Sequence, residues 1–266
     1  MKIALLGSKG FIGSNIVKRY QGQHELHLPT RDTIDLLDSN QVKNYLRQHN
    51  FDVVINCAAT FGDQTLLADT RNNLGIFLNF YNHSDLFGKF INTGSGAEFD
   101  LSTDINCARE DLIFERVPRD SYGFGHNVKS RMCKDKSNFY TLRIFGCFGY
   151  NEKSSRLFNK LVNSETFIIK NNRYFDYISV HDLITIIDYF VYNSCQIKDI
   201  NCVYKEKLLL SDVVNKFKLM HNINNLIEVE STGFHNYTGN NALLESLSIK
   251  LDGLECGIKN YFNESY

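Results

Sequence analysis

Three sets of side chains in this sequence have types and spacings that can do chemistry. The first is Gly7-Ser8-Lys9-Gly10-Phe11-Ile12-Gly13, which joins a strand-like apolar run to a helix-like one. In such a turn the first glycine (Gly7) permits the tight bend. The second (Gly10) lets backbone approach a pyrophosphate, and the third (Gly13) lets the helix pack closely on the strand. The helix start offers unpaired N–H groups and a partial positive charge, so a dinucleotide is the expected ligand, with Phe11 and Ile12 inside the binding segment. The second set is cationic: Lys9 within the turn and Arg31 in Thr30-Arg31-Asp32. At that place an acidic side chain suits the ribose 2′-OH of NAD, and an arginine accommodates the 2′-phosphate of NADP. Asp32 can do the first and Arg31 the second. Lys9 and Arg31 together favour NADP(H), with NAD(H) left open. Leu37 and Asp38 are expected at the adenine, and the small residues Cys57-Ala58-Ala59 would let a cofactor lie flat on the sheet edge. The third set is Ser95, a hydroxyl at a strand's carboxyl end, with Tyr122 opening a helix and His126 one turn later on the same face.

The elements that must position these residues alternate. Strand-like runs fall at Lys2–Leu6, Glu25–Leu28, Asp52–Cys57, Lys89–Thr93 and Phe139–Phe145. Helical patterns fall between them, at Phe11–Tyr20, Gln41–His49 with Ser39 as N-cap, Asn73–His83 and Tyr122–Ser137. This alternation predicts an α/β fold, a Rossmann-type doubly wound parallel sheet with ligands at the carboxyl ends of its strands. After Phe148 the regularity stops. Helices are predicted over Ser155–Val162, Val180–Tyr192, Leu210–Met220, Asn240–Leu247 and Leu254–Phe262, with a strand at Glu165–Lys170. The expected organisation is a dinucleotide-binding domain over 1–150, to which 175–200 returns, and a smaller mixed α/β substrate-binding lobe over 151–266.

Composition narrows the function classes. The formal net charge of −1 offers no basic field for nucleic acid or acidic lipid, so neither partner is expected. No apolar run approaches the ~20 residues that span a bilayer. Met1–Gly7 lacks the pattern of a signal peptide. The seven cysteines are scattered without any CxxC spacing, so neither a disulfide framework nor a metal site is expected, and a reducing cytoplasm fits.

Taken in order, these segments resemble the extended short-chain dehydrogenase/reductases, the NAD-dependent epimerase/dehydratase family of nucleotide-sugar enzymes. The resemblance covers nearly the whole chain. It includes Asn73 and Asn79, the Ser95 and Tyr122 segments, Leu142-Arg143-Ile144-Phe145-Gly146, Asp176-Tyr177-Ile178-Ser179-Val180-His181-Asp182-Leu183 and Leu254-Glu255-Cys256-Gly257-Ile258. The nearest pattern within it is the GDP-fucose synthase branch, which uses NADPH and carries a basic residue at the place of Lys9. The resemblance implies that Ser95 hydrogen-bonds a substrate oxygen and that Tyr122 gives its proton to the carbonyl as hydride arrives. A free tyrosine has pKa ~10, so it needs help near neutrality. In the family a lysine four residues after the tyrosine supplies that help and binds the nicotinamide ribose. Here His126 stands there, and at ~1.5 Å rise per residue Lys129 is too far along the helix to replace it.

Other departures bear on the reaction. The fucose synthase pattern has a cysteine two residues after the serine, and a histidine after the Arg143 strand, to exchange protons beside the ketone. Here Ala97 takes the first place and no histidine occupies 151–156. An arginine often precedes the Asp176 position; here it is Phe175. Arg156, Lys160 and Arg173 are the candidates for the substrate diphosphate. The expected activity is therefore NADPH-dependent reduction of a 4-keto nucleotide-activated deoxy sugar without flanking epimerisation; the resemblance alone implies that it serves a surface polysaccharide such as capsule or lipopolysaccharide. A homodimer is implied by the resemblance alone. Two alternatives stay open: an NAD-dependent nucleotide-sugar epimerase, and a cofactor-binding protein with weak or no catalysis because of His126.

Overall fold

A computed structural model describes residues 1–59, 67–232 and 235–263; positions 233–234 and 264–266 of the expected C-terminal lobe lie outside them. The chain begins β1 (Lys2–Leu6), α1 (Phe11–Tyr20), β2 (Glu25–His27), α2 (Ser39–His49), β3 (Val53–Asn56), α3 (Leu67–Asn82) and β4 (Lys89–Ser95). It continues through β5 (Ile105–Ala108), α4 (Ser121–Cys133), β6 (Phe139–Ile144), β7 (Gly146–Phe148), α5 (Leu157–Val162) and β8 (Thr166–Ile169). It ends with β9 (Tyr177–Ser179), α6 (Val180–Tyr192), β10 (Asp199–Cys202), α7 (Leu210–His221), β11 (Leu226–Val229), β12 (Tyr237–Gly239), α8 (Ala242–Ser246) and α9 (Leu254–Lys259).

Among the described residues the main sheet has six strands in the order β10-β6-β4-β3-β1-β2, and each neighbouring pair is parallel. Side chains alternate between its faces. Ile3, Leu5, Ile55 and Ile91 point into a core closed by Ile16 of α1 and by Leu183, Ile187 and Phe190 of α6. Ala4, Leu6, Val54 and Phe90 point the other way, onto Val42 and Leu46 of α2 and Phe77 and Phe80 of α3. Burial on both faces explains why these strands read as continuous apolar runs. The chain moves outward from β1 to β2 and then returns to β3 on the other side of β1. The topological switch point therefore lies between the carboxyl ends of β1 and β3, where an open α/β sheet binds its ligand.

Several boundaries differ from the sequence expectation for identifiable reasons. Asp38, not Ser39, caps α2: its carboxylate accepts from the Asn40 and Gln41 amides at 2.8 and 3.1 Å, while Ser39 is already helical. Helix α3 starts at Leu67, ahead of its apolar periodicity. Helix α4 ends at Cys133 rather than Ser137. Strand β10, Asp-Ile-Asn-Cys, has no strand-like run of apolar residues, yet it pairs with β6 as the sheet's edge. Its Asp199 and Asn201 are buried because they serve Arg143, a requirement that only packing reveals.

The second core gathers Phe148, Phe158, Leu161, Phe217, Ile258 and Tyr261 beneath the parallel β8–β11 pair. Strand β12 returns to pair with β5, so a late segment of the chain reaches the carboxyl end of the main sheet.

Candidate active site

The glycine turn is shaped by close approach. Gly7 has φ +78°, and a Cβ on it would stand 2.6 Å from the Cys57 carbonyl oxygen. A Cβ on Gly13 would stand 2.2 Å from the Gly7 oxygen. Neither position accepts a side chain without moving backbone. Gly10 begins α1 with no side-chain cap, and the first turn holds no acidic residue, so its N–H groups remain available to an anion. At the switch point opens a cavity of about 930 Å³, lined by Gly7, Lys9, Gly10, Arg31, Asp32, Leu37, Cys57, Ala58 and Ala59 among others. Lys9, Arg31 and Asp32 are exposed at its rim. Phe11 and Ile12 instead pack against the core behind the turn. Asp38 spends its carboxylate on the cap of α2 and is not among the residues lining the cavity.

Beyond the cavity, β4 delivers Ser95. The Ser95 hydroxyl accepts from the Ala97 amide at 3.2 Å, and the Glu98 carboxylate accepts from the Ser95 amide at 2.8 Å, a reciprocal capping box. Glu98 is fully buried and receives Arg143 Nε at 2.7 Å. Arg143 also reaches Asp199 at 2.9 Å and Asn201 at 3.0 Å. Burial opposes its charge, but Asp199 and Glu98 outweigh burial and hold the guanidinium protonated. This ion-paired chain fixes the ends of β4, β6 and β10 together beneath Ser95.

Helix α4 is seated against that turn. Asp120 caps it through the Gly123 amide at 2.7 Å. Asn127 Nδ2 donates to the Glu98 carbonyl at 2.9 Å. A Cβ on Gly123 would meet the Ala97 carbonyl oxygen at 2.5 Å, so the glycine sets how closely the helix approaches Ser95. Tyr122 is thereby brought near enough for the Ser95 hydroxyl to act on its phenol. Burial pushes the Tyr122 phenol up; the Ser95 hydroxyl and the more distant charge of Arg156 oppose this, while Glu98 adds to it. The His126 ring lies 4.6 Å from that of Tyr122. Burial holds the imidazole well below its ordinary value, helped by Lys129, so it is neutral near pH 7. Both of its ring nitrogens are buried without a hydrogen-bond partner among the described residues. Lys129 is itself buried and pushed down to about 8 by burial, against the pull of Glu98.

The substrate candidates separate. Ala97 is buried in the Ser95 turn and has no group that titrates. Arg156 donates to the Cys147 carbonyl at 2.8 Å and lies 5.5 Å over Phe11, with its charge felt at Tyr122. Arg173 donates to the His235 carbonyl at 3.1 Å, and its charge is felt at Tyr237. Lys160 is exposed on α5. Two features were not read from sequence. Ser95-Gly96-Ala97-Glu98 has capping-box spacing, which makes Glu98 legible in retrospect. Tyr237, whose hydroxyl lies 2.7 Å from where a Cβ would stand on Gly96, comes from β12 and carries no local signal.

Cys57, at the cavity floor, has its thiol pushed up to about 12 by burial, so it is a neutral wall and not a nucleophile. All seven cysteines are free thiols. Among the described residues no helix is long and apolar enough to cross a membrane.

A glycine turn at the switch point, and a hydroxyl–phenol pair beyond it, define a nicotinamide-dinucleotide-dependent enzyme of the Rossmann class. The sequence profile of the NAD dependent epimerase/dehydratase family matches residues 3–202, and the chain belongs to that family. It is an NAD(P)-dependent enzyme of the oxidoreductase/epimerase type. No curated protein sequence matches it. Among solved structures it is similar to a GDP-mannoheptose C4 reductase from Campylobacter jejuni with NADP bound, at 20% identity and TM-score 0.84, covering 98% of this chain and 97% of that one. It is also similar to a GDP-L-fucose synthetase from Naegleria fowleri bound to NADP, at 17% identity and TM-score 0.80, covering 98% and 91%. A UDP-N-acetylglucosamine 4-epimerase from Bacillus cereus matches at 15% identity and TM-score 0.76, covering 98% of each chain. At these identities the likeness is one of fold.

Proposed function

We propose that this protein reduces the 4-keto group of a nucleotide-activated deoxy sugar with NADPH, without epimerising the flanking carbons. The observation that carries this reading is the Tyr122–Ser95 pair: a phenol kept protonated by burial, acted on by a hydroxyl at the carboxyl end of β4. A protonated phenol suits the acid role in reduction.

The residues present fit the dinucleotide. The uncapped first turn of α1 suits the pyrophosphate. Lys9 and Arg31 at the cavity rim suit a 2′-phosphate. The nitrogens of His126, which have no partner among the described residues, suit the ribose hydroxyls next to the nicotinamide. When bound, the reduced nicotinamide supplies the hydride. Ser95 then polarises the carbonyl, and Tyr122 releases its proton to the oxygen as negative charge develops there. Arg156 and Arg173 flank the two tyrosines and suit the substrate's diphosphate. Ala97 has no proton to exchange beside the ketone, which supports simple reduction.

Two of the similar folds hold NADP and act on GDP-linked sugars by their descriptions, which supports the same cofactor and substrate class here. In this reading the enzyme works in the cytoplasm, serves surface-polysaccharide synthesis and pairs as a homodimer.

The test is to mix purified protein with NADPH and a panel of 4-keto sugar nucleotides and follow loss of NADPH absorbance. Turnover is expected, and Tyr122→Phe should lower kcat/KM by about 10²–10⁴-fold while NADPH still binds. Unchanged turnover in Tyr122→Phe sinks the mechanism. Interconversion of sugar epimers with no net NADPH loss would favour the epimerase instead.

A further inference from the structure

Glu152 is buried at 5% exposure, although Asn151 before it and 153–155 after it are exposed. A carboxylate taken out of water in a surface loop is costly unless partners hold it. Two partners pin one of its oxygens. Glu152 Oε1 accepts from the Asn159 amide of α5 at 3.0 Å and from the Tyr261 hydroxyl, just beyond α9, at 2.9 Å. The Glu152 backbone carbonyl also accepts from Asn159 Nδ2 at 3.1 Å. The other carboxylate oxygen, Oε2, lies 3.8 Å from Arg156 Nε. Burial pushes the carboxyl up, and Tyr261, the Asn159 amide and Arg156 pull it back.

The loop that carries Glu152 and Arg156 touches α1 at two places. Lys18 stands 4.8 Å over the Tyr150 ring, and the Arg156 guanidinium stands 5.5 Å over the ring of Phe11, the first residue of α1. Arg156 Nη2 donates to the Cys147 carbonyl of β7 at 2.8 Å. The guanidinium is thus set from three sides, by β7, by the Phe11 ring and by Glu152. Its side chain keeps 40% of its surface exposed, and Cys147 takes only one of its five N–H donors, so it can still grip a ligand. We propose that Glu152 is a positioning residue: pinned by Tyr261 and Asn159, its carboxylate holds Arg156 in place for the diphosphate assigned to that arginine above. The inference rests on that assignment. The dinucleotide's pyrophosphate shares the chemistry and docks at the same helix start, so it is the other source of the anion.

Glu152→Gln keeps an acceptor for Tyr261 and the Asn159 amide and removes the charge that faces Arg156. Calorimetry reads its effect on binding: GDP, UDP and dTDP are titrated in turn into protein saturated with NADPH, and NADPH into the free protein. Arg156→Ala should weaken the best-bound nucleoside diphosphate about tenfold, and Glu152→Gln about threefold. In Arg156→Ala the Glu152 change should cost nothing more. Tyr261→Phe, which keeps its ring in the second core, should weaken binding about twofold and be silent in the same background. A merely structural Glu152 would lower Tm and leave the losses additive. Coupled losses toward NADPH instead of the nucleoside diphosphates place the dinucleotide's pyrophosphate on Arg156. Unchanged binding of both kinds of ligand in Glu152→Gln, or losses that add in full in the double variant, overturns the proposal. A wild-type protein that reduces no 4-keto sugar overturns the functional reading instead, and the titrations still decide the role of Glu152.

Discussion

Tyr122 and His126 sit one helical turn apart with ring centroids 4.6 Å from one another and planes at 54°, and neither imidazole nitrogen has a hydrogen-bond partner among the described residues. A buried polar atom without a partner costs about 1–3 kcal/mol, so a ligand that completes it gains from doing so. The helix start carries a buried phenol beside an imidazole whose nitrogens have no partner among the described residues.

His126→Ala should therefore weaken NADPH binding about tenfold, the loss expected of one hydrogen bond. Because burial holds the imidazole neutral, the difference in affinity between the wild type and His126→Ala should not change with pH across the range where an ordinary histidine titrates. Fluorescence titration with NADPH over that range checks both. A His-dependent step in affinity would show that the ring becomes charged.

Arg31→Ala should lower the NADP-over-NAD preference by about tenfold, since one charge-assisted contact to the 2′-phosphate is lost and the ribose hydroxyl needs none. Dissociation constants for both cofactors, measured on both proteins, decide it. An equal loss toward the two would mean that Arg31 acts on something they share.

Lys129 gives a pH signature of stability. Its ammonium is pushed down from 10.5 to about 8 by burial. Between those values the unfolded chain binds more protons than the native one, so stability rises as pH climbs through that window. Relative to Lys129→Met, the wild type should gain in Tm from about pH 8 to 10.5. A flat or falling difference contradicts the burial of the amine.

Gly13→Ala should cost about 1–3 kcal/mol and impair cofactor binding, because the new methyl meets the Gly7 carbonyl backbone and the turn must open. Thermal unfolding and NADPH titration together test it. Full stability with full binding would show that the turn can shift freely.

Much of the fold was legible in the sequence because its signals are local. The apolar runs of β1, β3, β4 and β6 are buried on both faces, and the helix periods between them each stand in one stretch of chain. Strand β10 was not legible: Asp199 and Asn201 make it look like loop, and they are buried only because Arg143 needs partners there. The cap of α2 went to Asp38 rather than Ser39, because the backbone stays extended at Asp38. That also removed its carboxylate from the expected adenine contact.

By itself the sequence determined the glycine turn, the small residues facing it, and the order in which Ser95, Tyr122 and His126 follow their strands and helix. Each depends on backbone geometry within a few neighbouring residues. Only the tertiary structure decided that Glu98 and Arg143 lock together beneath Ser95, that His126 is neutral and without a partner among the described residues, and that Tyr237 reaches the Gly96 turn beside Ser95. These depend on burial and on contacts between distant segments, where desolvation, rather than local propensity, sets the chemistry.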